Sequence, residues 1–171
     1  MTPSVIVRPL DPDDIIPLAR LWHDGWQDGH AAVVPAEFVH HRTLERFEAR
    51  LRTGEGEAWV TGPVGAPVGF YLLKGGELNQ FYVAAAARGT GVAASLIADA
   101  EARLAGKGEP TAWLTCAIGN NRAARFYEKS GWRRTGTVMT IPDGQPLTIE
   151  VWRYEKPLRS DDGATGDSLL R

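Results

Sequence analysis

Apolar residues recur along this chain with two different periods, and segments of the two kinds alternate. Short runs rich in β-branched and aromatic residues are typical of strands, whereas apolar residues three or four positions apart indicate one face of a helix. Turn-rich stretches such as residues 62–67, with two glycines and two prolines, separate neighbouring runs. The predicted strands are residues 5–9, 58–61, 68–73, 78–83, 112–118, 138–141 and 147–154.

Helical spacing is clearest in the second half of the chain. In residues 91–104 the apolar side chains recur every four positions, at Val92, Leu96, Ala100 and Leu104. Residues 121–129 are a shorter predicted helix, which Gly131 ends. Each of these helices follows a predicted strand after a short turn.

The first half of the chain predicts two further helical segments. One begins at residues 11–12, where an aspartate can cap the helix and a proline fits its first turn. Gly25 and Gly29 loosen residues 22–30, so this part is predicted to be an interrupted helix or a helix followed by a loop. The other segment is residues 35–51.

The order of these elements predicts one mixed α/β domain over residues 1–158. Strands follow one another as a meander in the first half, and a strand–helix–strand–helix unit makes up the second half. The crossover from strand 78–83 through helix 91–104 to strand 112–118 makes the two strands parallel neighbours. Residues 159–171 are mostly polar and are predicted to be a disordered tail.

Composition narrows the class of protein without identifying its function. The chain has 171 residues, of which 43% are hydrophobic and 23% charged, as is ordinary for a globular protein. The net charge of −2 argues against a protein that coats nucleic acid. Since the N terminus does not resemble a signal peptide and no apolar run reaches about 18 residues, the sequence predicts a soluble, cytoplasmic protein without a membrane partner.

The cysteine and histidine residues give little further evidence about function. Cys116 is the only cysteine, which excludes an intramolecular disulfide and fits a reducing compartment. It lies within an apolar predicted strand, so it is interpreted as a core thiol rather than a nucleophile. The four histidines are His23, His30, His40 and His41. They are not accompanied by other potential metal ligands, so no metal site is predicted.

The segment Arg88–Gly91 lies between a predicted strand and a predicted helix, and this context favours anion binding. Glycines let the backbone turn tightly and let an anion approach, while the first amides of the helix point outward without partners. The helix dipole and the charge of Arg88 add a preference for phosphate. The alternative is a tight turn that needs glycine for backbone reasons alone. The loop lacks the Gly-Lys-Ser/Thr ending of a P-loop and the third glycine of a dinucleotide fingerprint.

A second motif follows the next predicted strand. Residues 119–132 read GNNRAARFYEKSGW, and residues 83–96 read VAAAARGTGVAASL. With both motifs at this separation, the sequence closely resembles the GCN5-related N-acetyltransferase (GNAT) superfamily over about residues 4–158. The resemblance implies a central, mixed, mostly antiparallel sheet of about seven strands that splays between strands 4 and 5 and is flanked by helices.

The chain departs from the family pattern at one position. The signature Gln/Arg-x-x-Gly-x-Gly/Ala is met from Arg88 as Arg88, Gly91 and Ala93. Aligned on the core from Gly89 instead, it begins at Ala86, where Gln or Arg is missing. Because backbone amides do most of the binding, we expect this loss to weaken the cofactor site only modestly.

The resemblance implies acetyl-CoA as the cofactor. Asn120 would hydrogen-bond its pantetheine arm or cap the following helix, and capping is the stronger local prediction. The backbone of the strand that splays after Val83 would pair with the pantetheine and the acetyl oxygen. The implied cofactor-binding residues are Tyr82, Val83, Arg88, Gly89, Thr90, Gly91, Val92, Ala93, Asn120, Ala123, Phe126 and Tyr127.

Acetyl transfer to an amine needs a neutral amine and a proton for the departing thiolate. The resemblance implies that Glu77 accepts the amine's proton, often through water. The alternative is a surface carboxylate at the end of a strand. Tyr127 stands where the family often has the acid that protonates the thiolate. A phenol pKa near 10 suits that role, and the alternative is a tyrosine that packs on the cofactor for shape alone.

The acceptor is predicted to be a small amine or an amino acid. Aromatic side chains in the first helical region and the middle strands would surround an amine through cation–π contacts. The alternative is that these side chains are ordinary residues of the hydrophobic core. His23 or His30 is an alternative base near neutral pH. This region resembles that of small-molecule members, including phosphinothricin-type acetyltransferases. The candidate substrate-binding residues are Trp22, His23, Trp26, His30, Tyr71 and Phe81.

The predicted function is therefore an N-acetyltransferase that moves the acetyl group of acetyl-CoA to a primary amine by direct attack. Three alternatives stay open: a non-catalytic acyl-CoA-binding or sensor domain of the same fold, a protein N-acetyltransferase, and a phosphate-binding module unrelated to coenzyme A. A homodimer also stays open, since many relatives are dimers.

Overall fold

Seven strands form one mixed sheet within the described residues, which are 5–142, 145 and 147–158 of a computed structural model. The order of the strands across the sheet is β1-β2-β3-β4-β5-β7-β6. The strands are β1 Val7–Pro9, β2 Glu57–Thr61, β3 Gly69–Lys74, β4 Glu77–Val83, β5 Thr111–Ala117, β6 Arg133–Thr140 and β7 Ile149–Pro157.

Helices cover both faces of this sheet. Short 3-10 turns at Pro12–Asp14 and Ala85–Ala87 precede the first long helix and the glycine turn of residues 88–91, respectively. The α-helices are α1 Ile15–His30, α2 Ala36–His40, α3 Leu44–Thr53, α4 Val92–Gly106 and α5 Asn121–Lys129.

Strand pairing follows the predicted topology. Strands β1 to β4 form an antiparallel meander, and β4 pairs in parallel with β5 across the α4 crossover, which confirms the predicted parallel neighbours. Strands β6 and β7 pair antiparallel as a hairpin, and β7 also pairs with β5. Asp143, Gly144 and Pro146, which were predicted to lie in the hairpin turn, and the predicted tail 159–171 are outside the described residues.

Two apolar cores lie on opposite faces of the sheet. Neighbouring residues of a strand point to opposite faces, so Phe70 packs with Trp22 on the α1 side while Tyr71 packs with Leu96 on the α4 side. All four side chains have no measurable exposure to solvent. Burying each such side chain contributes roughly 1.5–3 kcal/mol, so both helical layers are held firmly against the sheet.

A buried carboxylate anchors the start of α1. Both oxygens of Asp14 accept hydrogen bonds from Arg8, at 2.7 and 3.0 Å, and the amides of Asp11 and Gly65 donate at 2.9 and 3.0 Å. Burial on its own raises the pKa of Asp14, but these hydrogen bonds outweigh it and leave the pKa below its usual value. The network ties β1, α1 and the β2–β3 loop together.

Helix α1 is continuous, so the predicted interruption at residues 22–30 is wrong. A Cβ atom at Gly25 would lie 2.7 Å from Cδ1 of Tyr82, and one at Gly29 would lie 2.9 Å from Nδ2 of Asn120. These glycines therefore let α1 approach β4 and the start of α5 closely. The helix penalty of about 1 kcal/mol for each glycine is offset by the buried face that packs on the sheet.

The predicted helix 35–51 is also corrected, because it divides into α2 and α3. The chain leaves helical geometry at Thr43, whose hydroxyl oxygen then accepts a hydrogen bond from the amide of Arg46 at 3.4 Å and caps α3. A threonine cap restarts a helix at low cost. The apolar spacing continues across the break, which is why periodicity alone missed it.

Strand β6 begins at Arg133, five residues before the predicted start at residue 138. It is an edge strand that pairs with β7 alone, and its first residues are exposed. Exposed polar residues give no alternating apolar pattern, so the sequence could not reveal them as strand.

The close approach of α1 can be tested with a matched pair of alanine substitutions. We expect Gly29→Ala to lower the free energy of unfolding by about 1–3 kcal/mol, because the new methyl group displaces Asn120. Gly106→Ala adds the same methyl group in α4 with no atom within 4 Å, and we expect it to be neutral or stabilising by up to about 1 kcal/mol. Urea unfolding measures both values. Equal effects of the two substitutions would contradict the packing described for α1.

Candidate active site

Strands β4 and β5 are in register at one pair of residues, Glu77 opposite Trp113, next to a hydrogen bond of 3.1 Å from the Trp113 amide to the Gly76 carbonyl. Beyond this pair the two strands diverge, as the predicted splay requires. A cleft of about 530 Å³ opens between them and extends under α1 and α5. The divergence leaves one edge of β4 without a strand partner.

Most residues predicted to bind the cofactor meet in this cleft. Three others, Thr90, Gly91 and Val92, lie in the turn and first residue of α4 beside it and do not line it. The predicted residues that do line the cleft are Tyr82, Val83, Arg88, Gly89, Ala93, Asn120, Ala123, Phe126 and Tyr127.

The turn before α4 has the geometry of an anion site. Gly89 and Gly91 have φ angles of +75° and +90°, in the left-handed region that favours glycine. Gly91 is the N-cap of α4, and having no side chain it leaves the first amides of that helix to a ligand or water. Arg88 adds a positive charge next to them, 3.4 Å from a carboxylate oxygen of Asp28 in α1.

Asn120 caps α5, as its local context predicts. Its side-chain oxygen accepts a hydrogen bond from the amide of Ala123 at 3.4 Å. The same side chain lines the cleft and contacts the glycine face of α1 at Gly29. Asn120 therefore joins three parts of the site: the start of α5, the cleft and α1.

Tyr127 lies on the wall of the cleft within an aromatic cluster. Its ring centre is 5.6 Å from that of Phe126, 6.4 Å from Phe81 and 6.1 Å from Tyr154. Burial, followed by the proximity of Cys116 and Tyr82, raises the pKa of the Tyr127 phenol well above its usual value. The phenol therefore keeps its proton at neutral pH and can act as a donor.

Glu77 lines the cleft at the end where β4 and β5 still pair. Its carboxylate accepts a hydrogen bond of 2.7 Å from the side-chain amide of Asn79. Asn79 is the extra residue of a β-bulge, since Leu72 pairs with Gln80 and Leu73 with Leu78. Bulges re-aim side chains next to functional sites, and here the bulge directs the polar part of β4 into the cleft.

His30 is held as a neutral ring at the edge of the cleft. It stacks on Trp26 with ring centres 5.0 Å apart and planes 4° apart. Its Nδ1 is 3.1 Å from the carbonyl oxygen of Trp26, which can only accept, so the proton sits on Nδ1 and Nε2 keeps its lone pair. Burial lowers the pKa of His30 to about 4, and the charge of Arg42 acts in the same direction. Such a ring is a weak base.

Two of the six predicted substrate-binding residues do not reach the cleft, while Trp22, Trp26, His30 and Phe81 line it. His23 is partly exposed and contacts a carboxylate oxygen of Asp24 at 3.0 Å. Tyr71 points to the α4 face of the sheet, where its hydroxyl donates to Asp99 at 2.5 Å. Alternation along β3 fixes the direction of Tyr71, and the sequence alone did not show which face of the sheet borders the cleft.

Cys116 is a buried thiol, as predicted. Cys116 lines the cleft, and only 5% of its surface is exposed to solvent. Burial raises the pKa of Cys116 to about 12, so the thiolate that a nucleophile needs is scarce at neutral pH.

Four cationic side chains that line the cleft were missed by the sequence reasoning: Arg42, Arg50, Lys74 and Arg122. Arg42 lies in the turn between α2 and α3, which the sequence placed inside one helix, so its direction could not be predicted. Arg50 lies near the C-terminal end of α3, and no motif marked it.

Neither a metal centre nor a membrane span is found in the described part of the chain. No cluster of three or more His, Cys, Asp or Glu residues there is arranged to hold a metal ion. No described helix has the length and apolarity that a membrane crossing requires.

The protonation of His30 can be measured directly. Its folded-state pKa of about 4 lies below the unfolded value of about 6.5. The neutral ring therefore stabilises the fold fully above about pH 6.5, and this contribution is lost as the pH falls through about 4. We expect the imidazole NMR signals of His30, assigned by comparison with His30→Gln, to titrate with a midpoint near pH 4. A midpoint near 6.5 would show that the ring is not held as described.

Comparisons with known proteins agree with this geometry. The family model described as an acetyltransferase (GNAT) domain matches residues 24–147. A crystal structure of a GCN5-related N-acetyltransferase from Rhodopseudomonas palustris superposes with a TM-score of 0.73 at 22% identity, covering 92% of this chain and 98% of that one. A phosphinothricin acetyltransferase from Sinorhizobium meliloti, in complex with acetyl-CoA, has a TM-score of 0.66 at 14% identity, covering 98% and 99%.

A curated relative is similar over a shorter range. An uncharacterized N-acetyltransferase from Mycobacterium tuberculosis is 37% identical over 78 residues, which cover 43% of this chain and 50% of the relative. The chain thus spans about half the length of the curated relatives it matches. The family model covers most of the chain, including β4, the glycine turn, α4, β5 and α5. By this match and by its fold, the chain belongs to the GNAT acetyltransferase family.

Proposed function

We propose that this protein is a cytoplasmic N-acetyltransferase that transfers the acetyl group of acetyl-CoA directly to the amine of a small molecule or amino acid. The observation that carries this proposal is the cleft between the diverging strands β4 and β5, with the α4 N terminus beyond the open end of β4 and Tyr127 on its wall. The single, buried cysteine is consistent with a reducing compartment.

The cleft suits two parts of acetyl-CoA, the diphosphate and the pantetheine arm. A diphosphate suits the unpaired first amides of α4, since Gly89 and Gly91 let it approach and Arg88 supplies a full charge. A pantetheine arm, with its two amides, suits the edge of β4 that has no strand partner beyond Glu77. Buried backbone groups need hydrogen-bond partners, and an amide-bearing arm provides them.

Bound acetyl-CoA would supply the acetyl group as a thioester, whose carbonyl carbon the acceptor nitrogen attacks as the carbon–sulfur bond breaks. Glu77 would accept the proton that the amine loses, directly or through water. Asn79 holds the Glu77 carboxylate in place at 2.7 Å. His30 is the weaker candidate base, because its pKa of about 4 leaves it little affinity for a proton at neutral pH.

Tyr127 would return a proton to the coenzyme A sulfur. Burial raises the pKa of the phenol well above its usual value, so the phenol holds its proton at neutral pH and can donate a hydrogen bond to the thiolate as the thioester breaks. Transfer through an acyl-cysteine is disfavoured, because the pKa of Cys116 is about 12. Direct attack of the amine therefore accounts for the chemistry with the groups that line the cleft.

Cofactor binding can be tested with two glycine substitutions that are matched in backbone geometry. Gly89 and Gly54 have φ angles of +75° and +69°, and a Cβ at either has no atom within 4 Å. We expect both alanine variants to lose about 1 kcal/mol of stability from backbone strain. We expect Gly89→Ala alone to weaken acetyl-CoA binding, by about tenfold or more in Kd, because its methyl group enters the space of the diphosphate.

Calorimetric titration with acetyl-CoA and the rise in Tm that the ligand produces measure this difference. If acetyl-CoA raises the Tm of neither the wild type nor Gly54→Ala, the cleft is not a coenzyme A site. An alternative phosphate-binding function would then gain support.

The role of Tyr127 can be tested by turnover. We expect Tyr127→Phe to lower kcat at saturating substrates by about 10²-fold or more, with little change in acetyl-CoA binding. Tyr154→Phe removes the same hydroxyl group from a neighbouring ring outside the cleft lining, and we expect its kcat to stay near that of the wild type. Thiol release from acetyl-CoA across a panel of amines is the assay.

An unchanged kcat in Tyr127→Phe, with chemistry rate-limiting, would remove the proton-donor role. Acetyl-CoA binding without turnover of any amine would instead support a non-catalytic acyl-CoA sensor.

A further inference from the structure

Gln80 is a polar residue on the face of β4 that is turned towards α1. It lies opposite Leu72 on β3, and Glu77 lies opposite Lys74. Because their partners are two positions apart on β3, Gln80 and Glu77 point to the same face of the sheet. Leu72 belongs to the core under α1, and both polar residues line the cleft. Gln80 therefore shares one wall of the cleft with the proposed base.

Two hydrogen bonds join Gln80 to Glu77 through the side chain of Asn79. The Nδ2 atom of Asn79 donates to Oε1 of Glu77 at 2.7 Å, and Nε2 of Gln80 donates to Oδ1 of Asn79 at 3.3 Å. The carboxylate sets the direction of this chain, because an ionised carboxylate can only accept. Asn79 must turn its amino group to Glu77 and its oxygen to Gln80, so Gln80 must donate through its own amino group.

This chain leaves the amide oxygen of Gln80 open to a ligand. Within the part of the chain that the structure describes, Oε1 of Gln80 accepts no hydrogen bond. The residue is half-buried on the wall of the cleft, where an amide oxygen that loses water needs an N–H or O–H partner. The amide cannot turn over without giving up its bond to Asn79. The cleft therefore presents an oriented acceptor oxygen, linked to Glu77 by two hydrogen bonds.

A primary amine has one N–H for each of these two acceptors. In direct attack, the nitrogen lone pair points to the carbonyl carbon of the thioester. One N–H points to Glu77 and gives up its proton as the carbon–nitrogen bond forms and the carbon–sulfur bond breaks. The second N–H stays on nitrogen and becomes the N–H of the product amide. Since it is desolvated in the cleft, it needs an acceptor throughout the reaction.

We propose that Gln80 binds the amine of the acceptor, with its Oε1 accepting a hydrogen bond from the N–H that the nitrogen retains. The proposal rests on the proposed acetyltransferase function and gives its preference for a primary amine a physical basis. An N-methyl amine carries a methyl group in place of this N–H. The amide oxygen of Gln80 then meets an apolar group and has no donor, so N-methylated amines are poorer acceptors.

The test pairs each primary amine that the thiol-release assay shows to be acetylated with its N-methyl derivative. We expect the ratio of kcat/KM values, primary over N-methylated, to fall about 5- to 20-fold in Gln80→Met. Methionine is unbranched like glutamine, and its sulfur is only a weak acceptor. The loss of the bond to Asn79 lowers the rates of both amines alike and cancels in the ratio.

Two further variants separate the missing acceptor from a change in shape. Gln80→Glu keeps an acceptor oxygen on the same side chain, and we expect its ratio to stay within about threefold of the wild type even where both rates fall. Gln27→Met makes the same substitution on α1, at a residue that does not line the cleft. Its rates and its ratio should match those of the wild type. The rise in Tm with acetyl-CoA shows that each variant folds and binds the cofactor.

The outcomes separate the two proposals. If acetyl-CoA binds but no amine is acetylated, the acetyltransferase proposal fails and the role of Gln80 falls with it. If amines are acetylated but Gln80→Met leaves the ratio unchanged, the enzyme stands and Gln80 does not bind the acceptor. A ratio that falls equally in Gln80→Met and Gln80→Glu overturns the role in the same way, because the loss then follows from shape and not from the missing acceptor.

Discussion

The divergence of β4 from β5 is the constraint on which the site depends. The two strands share one registered pair, at Glu77 and Trp113, and then separate. A strand edge inside a protein needs partners for its amides and carbonyls, so the cleft is built to take a ligand that supplies them. The α4 crossover enforces the parallel direction of both strands, and it also brings a helix N terminus to the open end. One feature of the sheet thus sets both the shape and the polarity of the site.

Helix α1 closes the other side of the cleft. Its glycines allow it to approach Tyr82 and Asn120, which line the cleft. Its tryptophans, Trp22 and Trp26, contact Arg50 and Arg42, which also line the cleft. A shift of α1 would therefore disturb both sets of contacts at once. The Asp14 network fixes the start of this helix, and the packing of its apolar face on the sheet fixes the rest.

Much of the fold could be predicted because apolar periodicity and turn residues report on it directly. The bounds of α5 and the parallel pairing of β4 and β5 agree with the structure. Periodicity could not show that the α1 glycines serve close packing. Glycine is expected both where a helix breaks and where a helix packs closely against its neighbours. It also could not find Arg42 and Arg50, which are ordinary surface residues by pattern and reach the cleft only because α2 and α3 turn at Thr43.

Amide hydrogen exchange, measured with and without acetyl-CoA, tests most directly whether the diverging strands hold the cofactor. If they do, the ligand should slow exchange at the open edge of β4, around Gln80–Val83, and at the first amides of α4, around Val92–Ala94. Exchange in β1 and β2, at the far side of the sheet, should change little. Slower exchange confined to other parts of the chain, or no change at β4 despite binding, would contradict the account.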